Sequence, residues 1–140
     1  MIKSVGAVAI QGDEVLLVCE TKESRHMTGM YGLPSGSVEE GETEQDAAAR
    51  EFREETGLFT QAQDLKEFGN NYYTADIPRK DGTIKTFGWR VFRVTKYTGE
   101  LKASPQTKPE WIEIGKLDKI DQEGMLLPNT VNAIQEALKI

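Results

Sequence analysis

The sequence predicts an α/β fold in one domain, a mixed β-sheet covered by helices, and three observations carry that expectation. Strand-like segments come first, a helix follows, further strands come next and a helix closes the chain. That order fits neither the alternation of a doubly wound sheet nor an all-β architecture. The strand candidates are short apolar runs bounded by turn residues. Finally, 140 residues that are 38% hydrophobic and 29% charged describe a single globular domain, residues 1–140, with enough chain for a core.

Ser4 to Ile10 and Glu14 to Glu20 read as strands joined by a Gly12-Asp13 turn, and an antiparallel pair is expected. Cys19 is expected in the core. Thr21 to Met30 is polar and reads as a loop. Its His26, beside Arg25, is read as surface, with ligand contact as the alternative. Thr43 suits the N-cap of a helix whose first turn carries Glu44 and Asp46, and Gly57 suits a left-handed stop. On that helix Ala48, Ala49 and Phe52 form an apolar strip, and the run Ala47-Ala48-Ala49 allows close approach to a sheet.

Leu65 to Ala75 and Thr86 to Lys96 are strand-like, and the segment between them holds Pro78 and Asp81-Gly82, so a hairpin is expected. Phe87, Trp89 and Val91 share one strand face; Gly88, Arg90 and Phe92 share the other. Trp89 and Tyr73 are either core aromatics or a platform on which a base stacks. Glu110 to Ile114 alternates like a last strand, and Asn129 to Leu138 reads as a C-terminal helix capped by Asn129.

The chemistry is concentrated between Gly36 and Leu58. Glu51, Glu54 and Glu55, spaced three and four apart, project from one helix face, and Glu44 falls on the same side. Like charges so spaced destabilise an isolated helix by about 0.2–0.5 kcal/mol per pair, and a bound divalent ion reverses that sign. Clustered carboxylates without a nearby histidine suit a hard cation with oxygen ligands rather than zinc: Mg2+ first, Mn2+ as a substitute and calcium as a further alternative. The competing reading is a solvated acidic face.

The order around those carboxylates narrows the choice. Gly36 is followed after five residues by Glu42, and after seven more by Arg50-Glu51-Phe52, then Glu54-Glu55 and Gly57-Leu58. This resembles the Nudix box, the signature of the Nudix hydrolases. Two positions depart from the usual pattern. Phe52 stands where the family more often has Leu, Ile or Val, and Ser35 stands where many members have glycine, so a φ > 0 conformation is disfavoured there.

The resemblance implies an α/β/α sandwich with a loop-helix-loop motif against the sheet. It also implies hydrolysis of a nucleoside diphosphate linked to another group. Metal would be held by Glu51, Glu54 and Glu55, with the backbone carbonyl of Ser35 completing the set. Arg50 would orient a box glutamate. For the general base Glu54 ranks first and Glu110 is the candidate outside the box, while Glu42 would support the loop or the outer metal shell.

On substrate, small single-domain members resemble the MutT type, which hydrolyses nucleoside triphosphates to the monophosphate and pyrophosphate. In that group an asparagine near the C-terminus can read the base, a role open to Asn129 beside helix capping. ADP-ribose members tend to carry a proline where this chain has Tyr73, and diadenosine polyphosphate members favour a tyrosine slightly further on than Tyr72 and Tyr73. Dinucleoside polyphosphates and nucleotide sugars are therefore the alternative substrates. A different class of reading is a domain that has lost catalysis and senses nucleotides. Retention of Glu51, Glu54 and Glu55 argues for the enzyme.

A net charge of −6 argues against a nucleic-acid polymer or an anionic membrane as partner, since either needs a basic footprint. It does not exclude a small phosphorylated substrate, because metal ions change the local sign. Cys19 is the only cysteine, which makes the cytoplasm the expected compartment. Val5 to Ile10 is too short for a membrane span. A homodimer is left open.

Overall fold

The computed structural model describes residues 1–140. Its strands are β1 (Ile2–Val8), β2 (Ile10–Gln11), β3 (Glu14–Glu20), β4 (Tyr31–Gly32) and β5 (Ser35–Ser37), followed by helix α1 (Glu44–Thr56). Then come β6 (Leu58–Phe59), β7 (Leu65–Lys66), β8 (Tyr72–Pro78), β9 (Ile84–Val94), β10 (Thr98–Gly99) and β11 (Thr107–Glu113), with helices α2 (Leu117–Gln122) and α3 (Thr130–Ala137) at the end. The expected α/β architecture is present.

The pairing differs from expectation in one place. The first apolar segment is divided at Ala9, and only β2 pairs antiparallel with β3. β1 belongs to a five-stranded mixed sheet, where it lies parallel to β9 and antiparallel to β5. The second sheet, of four strands, centres on β3, flanked by β11 and, at its other edge, by β2 and β4. At the division the Leu16 N–H donates to Ala9 O at 3.0 Å, so the first segment serves both sheets.

β1 and β3 bury both faces over most of their length, which accounts for their near-continuous apolar runs. On one side Val5, Ala7, Leu16, Phe92 and Val94 pack against Ala47, Ala48 and Phe52 of α1. On the other, Val8, Val15, Leu17 and Val91 pack with Leu117, Ala133, Ile134 and Ala137 of the C-terminal helices. The result is the three-layer arrangement of helix, sheet and helix.

Helix α1 ends where its residues say it should. Thr43 is extended and its side chain accepts from the Asp46 N–H at 3.1 Å; Gly57 closes the helix at φ 82° and donates to Arg53 O. A Cβ at residue 57 would lie 2.7 Å from Glu100 O, so glycine there answers to packing as well as to φ. Thr43→Ala is expected to cost about 1 kcal/mol, read as a lower urea midpoint with unchanged slope.

Four other expectations are corrected. Leu65 to Ala75 is not one strand: it breaks after Lys66, and Asn70 takes φ 53° before β8 begins at Tyr72. The hairpin β8–β9 nevertheless forms, turning through Arg79–Thr83. Cys19 is half-buried rather than core, opposite Tyr31 of the two-residue strand β4. Asn129 precedes α3 but does not cap it through its side chain; it sits at φ 67° and its Nδ2 donates to Thr74 O at 3.1 Å. Lastly, α2 was not expected at all.

Candidate active site

The box residues converge because α1 lies across β5. Ser35, Gly36 and Ser37 pair with Gly6, Val5 and Ser4 of β1, which fixes β5 as extended chain directly beneath the helix. Ser35 therefore needs no positive φ, and the serine is accommodated without strain. Its N–H donates to Glu55 Oε1 at 2.7 Å. Gly36 is more demanding: a Cβ there would overlap the Glu51 carboxyl group.

Arg50 organises the carboxylates. It donates to Glu42 Oε2 at 2.8 Å and Glu42 Oε1 at 2.9 Å, to Glu51 Oε1 at 2.7 Å, to Glu54 Oε2 at 3.2 Å and to Ser37 O at 2.9 Å. Charge-assisted bonds of this kind fix orientation as well as adding attraction. The Arg50 guanidinium, with the N–H of Glu39 at 2.9 Å, holds the Glu42 carboxyl down to about 2. Glu42 thus anchors the loop before the helix. Glu44 lies outside the cluster, 3.7 Å from Arg90 Nε.

Deeper in, the balance of forces reverses. Burial raises Glu51 despite its bond to Arg50. Burial also pushes Glu55 well above the usual carboxylate range, against the Ser35 N–H, and the neighbouring charges of Glu20, Glu51 and Glu54 push the same way. A fourth carboxylate is therefore present that sequence reasoning missed. Glu20 ends β3, is 7% exposed, accepts from Ser24 Oγ at 2.5 Å and is raised chiefly by burial. Its one signal in the sequence was a charge closing an apolar strand above a loop.

Glu20 and Glu55 open onto a cleft of about 390 Å³ whose lining also includes Glu23, Ser35, Gly36, Arg25, His26, Arg79, Phe87 and Trp89, whereas Glu51 and Glu54 lie outside that lining. Glu110, the candidate base outside the box, is not brought to it. Glu110 is opposite Leu17 in the β3–β11 register and accepts from Tyr31 Oη at 3.1 Å. Thr107, odd-numbered on the same strand, lines the cleft, so strand alternation sends the two residues to opposite faces.

The three candidate substrate contacts do come together. Tyr73 and Trp89 face each other across the β8–β9 ladder and line a narrow slot with Leu33, Pro128 and Asn129. Ser35, Trp89 and Leu127 line both slot and cleft, so the two adjoin. Trp89 also stacks on Phe87, with ring centroids 5.5 Å apart.

The donor set fits a hard divalent cation: oxygen ligands only, several carboxylates raised by burial and mutual repulsion, and a glycine that makes room for one of them. No three side chains already form a cation cage. Arg50 and the Ser35 N–H engage Glu51 and Glu55 instead. Gly36→Ala tests the cradle. The residue it overlaps is the flexible end of a side chain, so the melting temperature is expected to hold within about 2 °C, while activity falls about tenfold or more as Glu51 is displaced.

Comparison with known proteins agrees with this geometry. Residues 2–130 match the family model of the NUDIX domain. The chain is 33% identical over 110 residues to the oxidized purine nucleoside triphosphate hydrolase of Danio rerio, covering 79% of this chain and 65% of that protein. It is 28% identical over 136 residues to the NAD-capped RNA hydrolase NudC of Vibrio atlanticus, covering 93% of this chain and 46% of that one. The chain thus spans about half to two thirds of the length of these curated relatives. The crystal structure of the MutT protein from Methanosarcina mazei shares the fold, with a TM-score of 0.76, 23% identity, and coverage of 99% of this chain and 93% of that one. With the family model matched over nearly the whole chain, and the box carboxylates held together by Arg50 and by the Ser35 N–H of β5, the chain belongs to the Nudix family.

Proposed function

We propose that this chain is a magnesium-dependent hydrolase of nucleoside triphosphates that releases the monophosphate and pyrophosphate. The observation that carries the reading is the continuity of an aromatic slot with a carboxylate cleft through the shared wall of Ser35, Trp89 and Leu127. One compartment suits a base and the next suits phosphates. Similarity to the oxidized purine nucleoside triphosphate hydrolase of Danio rerio supports the same class.

Glu51, Glu54, Glu55 and the Ser35 carbonyl would hold Mg2+, with Mn2+ able to replace it. An ion held there would supply charge neutralisation at the phosphates and a lowered pKa for the attacking water. Arg50 positions Glu51 and Glu54. Glu54 takes the proton from water as its oxygen bonds to phosphorus, the α–β anhydride bond breaks, and pyrophosphate leaves with the bonding electrons. Tyr73 and Trp89 pack the base, and Asn129, held by Thr74, reads its edge. The partner is a small nucleotide rather than a polymer, in keeping with the net charge of −6.

A panel of nucleoside triphosphates, dinucleoside polyphosphates and nucleotide sugars, followed by phosphate release with and without added pyrophosphatase, tests this. Phosphate that appears only with pyrophosphatase, and only with magnesium, is the expected result. Tight nucleotide binding without turnover of any panel member would favour a nucleotide sensor.

A further inference from the structure

The cleft is lined by basic groups as well as by Glu20, Glu23 and Glu55, and nothing in the proposed chemistry uses them. Arg25 comes from the Thr21–Met30 loop and Arg79 from the end of the β8–β9 hairpin, and both line the cleft with His26. The two elements are tied together. The Lys80 N–H donates to Arg25 O at 3.2 Å, and Lys80 Nζ donates to Thr21 O at 3.1 Å and Lys22 O at 3.0 Å. The arginines are therefore held on a braced rim rather than on free loops.

Their charge is also unspent. The ion pairs of this chain engage Arg50, Arg90 and Lys139, and neither Arg25 nor Arg79 is among them. Arg79 Nε and His26 Nδ1 are both shielded from solvent without a hydrogen-bond partner. Buried polar atoms of this kind are rare unless something else satisfies them. Both side chains also flank Phe87: the Arg79 guanidinium lies 5.8 Å from the ring centroid and the His26 ring 6.0 Å from it. Because Phe87 stacks on Trp89, this rim is continuous with the aromatic wall of the slot.

We infer that Arg25, His26 and Arg79 form a second anion subsite that takes the phosphate tail beyond the bond being cleaved, so that the cleft selects substrates by the length of their phosphate chain. The inference rests on the hydrolase reading for the identity of the ligand, and it deepens that reading. A substrate in which an uncharged sugar follows the second phosphate gains little from these residues. A triphosphate or longer chain presents further oxygens to planar donors suited to phosphate.

Base-free probes isolate the subsite. Binding of inorganic tripolyphosphate and inorganic pyrophosphate is measured by calorimetry with magnesium present, for the wild type, Arg79→Gln, and Arg25→Gln with Arg79→Gln. The wild type is expected to prefer tripolyphosphate by about tenfold or more, and the double variant to lose that preference while still binding pyrophosphate. Melting curves confirm folding, and the single variant, expected to fall between, serves if the double variant is unstable. An unchanged preference in a folded variant overturns the subsite. Arginine-dependent preference in a wild type that hydrolyses no nucleotide would uphold the subsite and overturn the hydrolase.

Discussion

Replacing Glu54 by glutamine is expected to lower magnesium-dependent turnover by about 10²–10⁴-fold while leaving the fold intact. The side chain is 56% exposed and its partner is Arg50, at 3.2 Å, so the isosteric change removes the capacity to take a proton and little else. Surface changes of this kind usually fall within about 0.5 kcal/mol of the wild type. Initial rates at saturating magnesium, with a melting curve on the same preparation, give both quantities. Glu110→Gln is the control: its carboxylate bonds Tyr31 away from the cleft, and its rate should stay within about twofold of the wild type. A Glu54→Gln rate within tenfold of the wild type would move the base to Glu51, the next carboxylate that Arg50 orients.

What was legible in the sequence was local. The span of α1 follows from Thr43 and Gly57, and of its expected apolar strip Ala48 and Phe52 are buried, with Ala47 taking the place of the partly buried Ala49. What was hidden was non-local. Nothing within Ile2 to Ile10 says that β1 will lie parallel to β9 some eighty residues later rather than fold back on β3. The site divides in the same way. The box residues were identifiable because one helix carries them. Glu20, Arg25 and Arg79 reach the cleft from separate elements, through the β3–β11 register and the braced hairpin. The position of Glu110 away from the cleft was hidden for a related reason: which face of β11 it occupies is set by the register with β3, where it pairs with Leu17 and Thr107 pairs with Glu20.

Glu55→Gln separates stability from function at the deepest carboxylate. As a residue Glu55 is partly exposed, but its carboxyl group lies deep in the cleft, and burial with the nearby charges of Glu20, Glu51 and Glu54 raises it well above the ordinary range. A carboxyl raised on folding contributes stability that is fully present below its unfolded value and lost as pH rises through the folded one. Without metal, the wild type should therefore lose stability from about pH 5 upward, whereas a glutamine at 55 does not titrate and can still accept the Ser35 N–H. In chelator at pH 8 the variant is expected to be the more stable by about 1–2 kcal/mol, or a few degrees in melting temperature. Magnesium should reverse the order. If Glu55 is a ligand as proposed, the wild type gains about 2.7 kcal/mol when the ion is present at a hundred times its dissociation constant, and the variant gains much less. Melting curves with chelator and with magnesium, at pH 5 and pH 8, give all four values. A variant less stable than the wild type in chelator at pH 8 would mean that the Ser35 contact outweighs the desolvation and repulsion at Glu55.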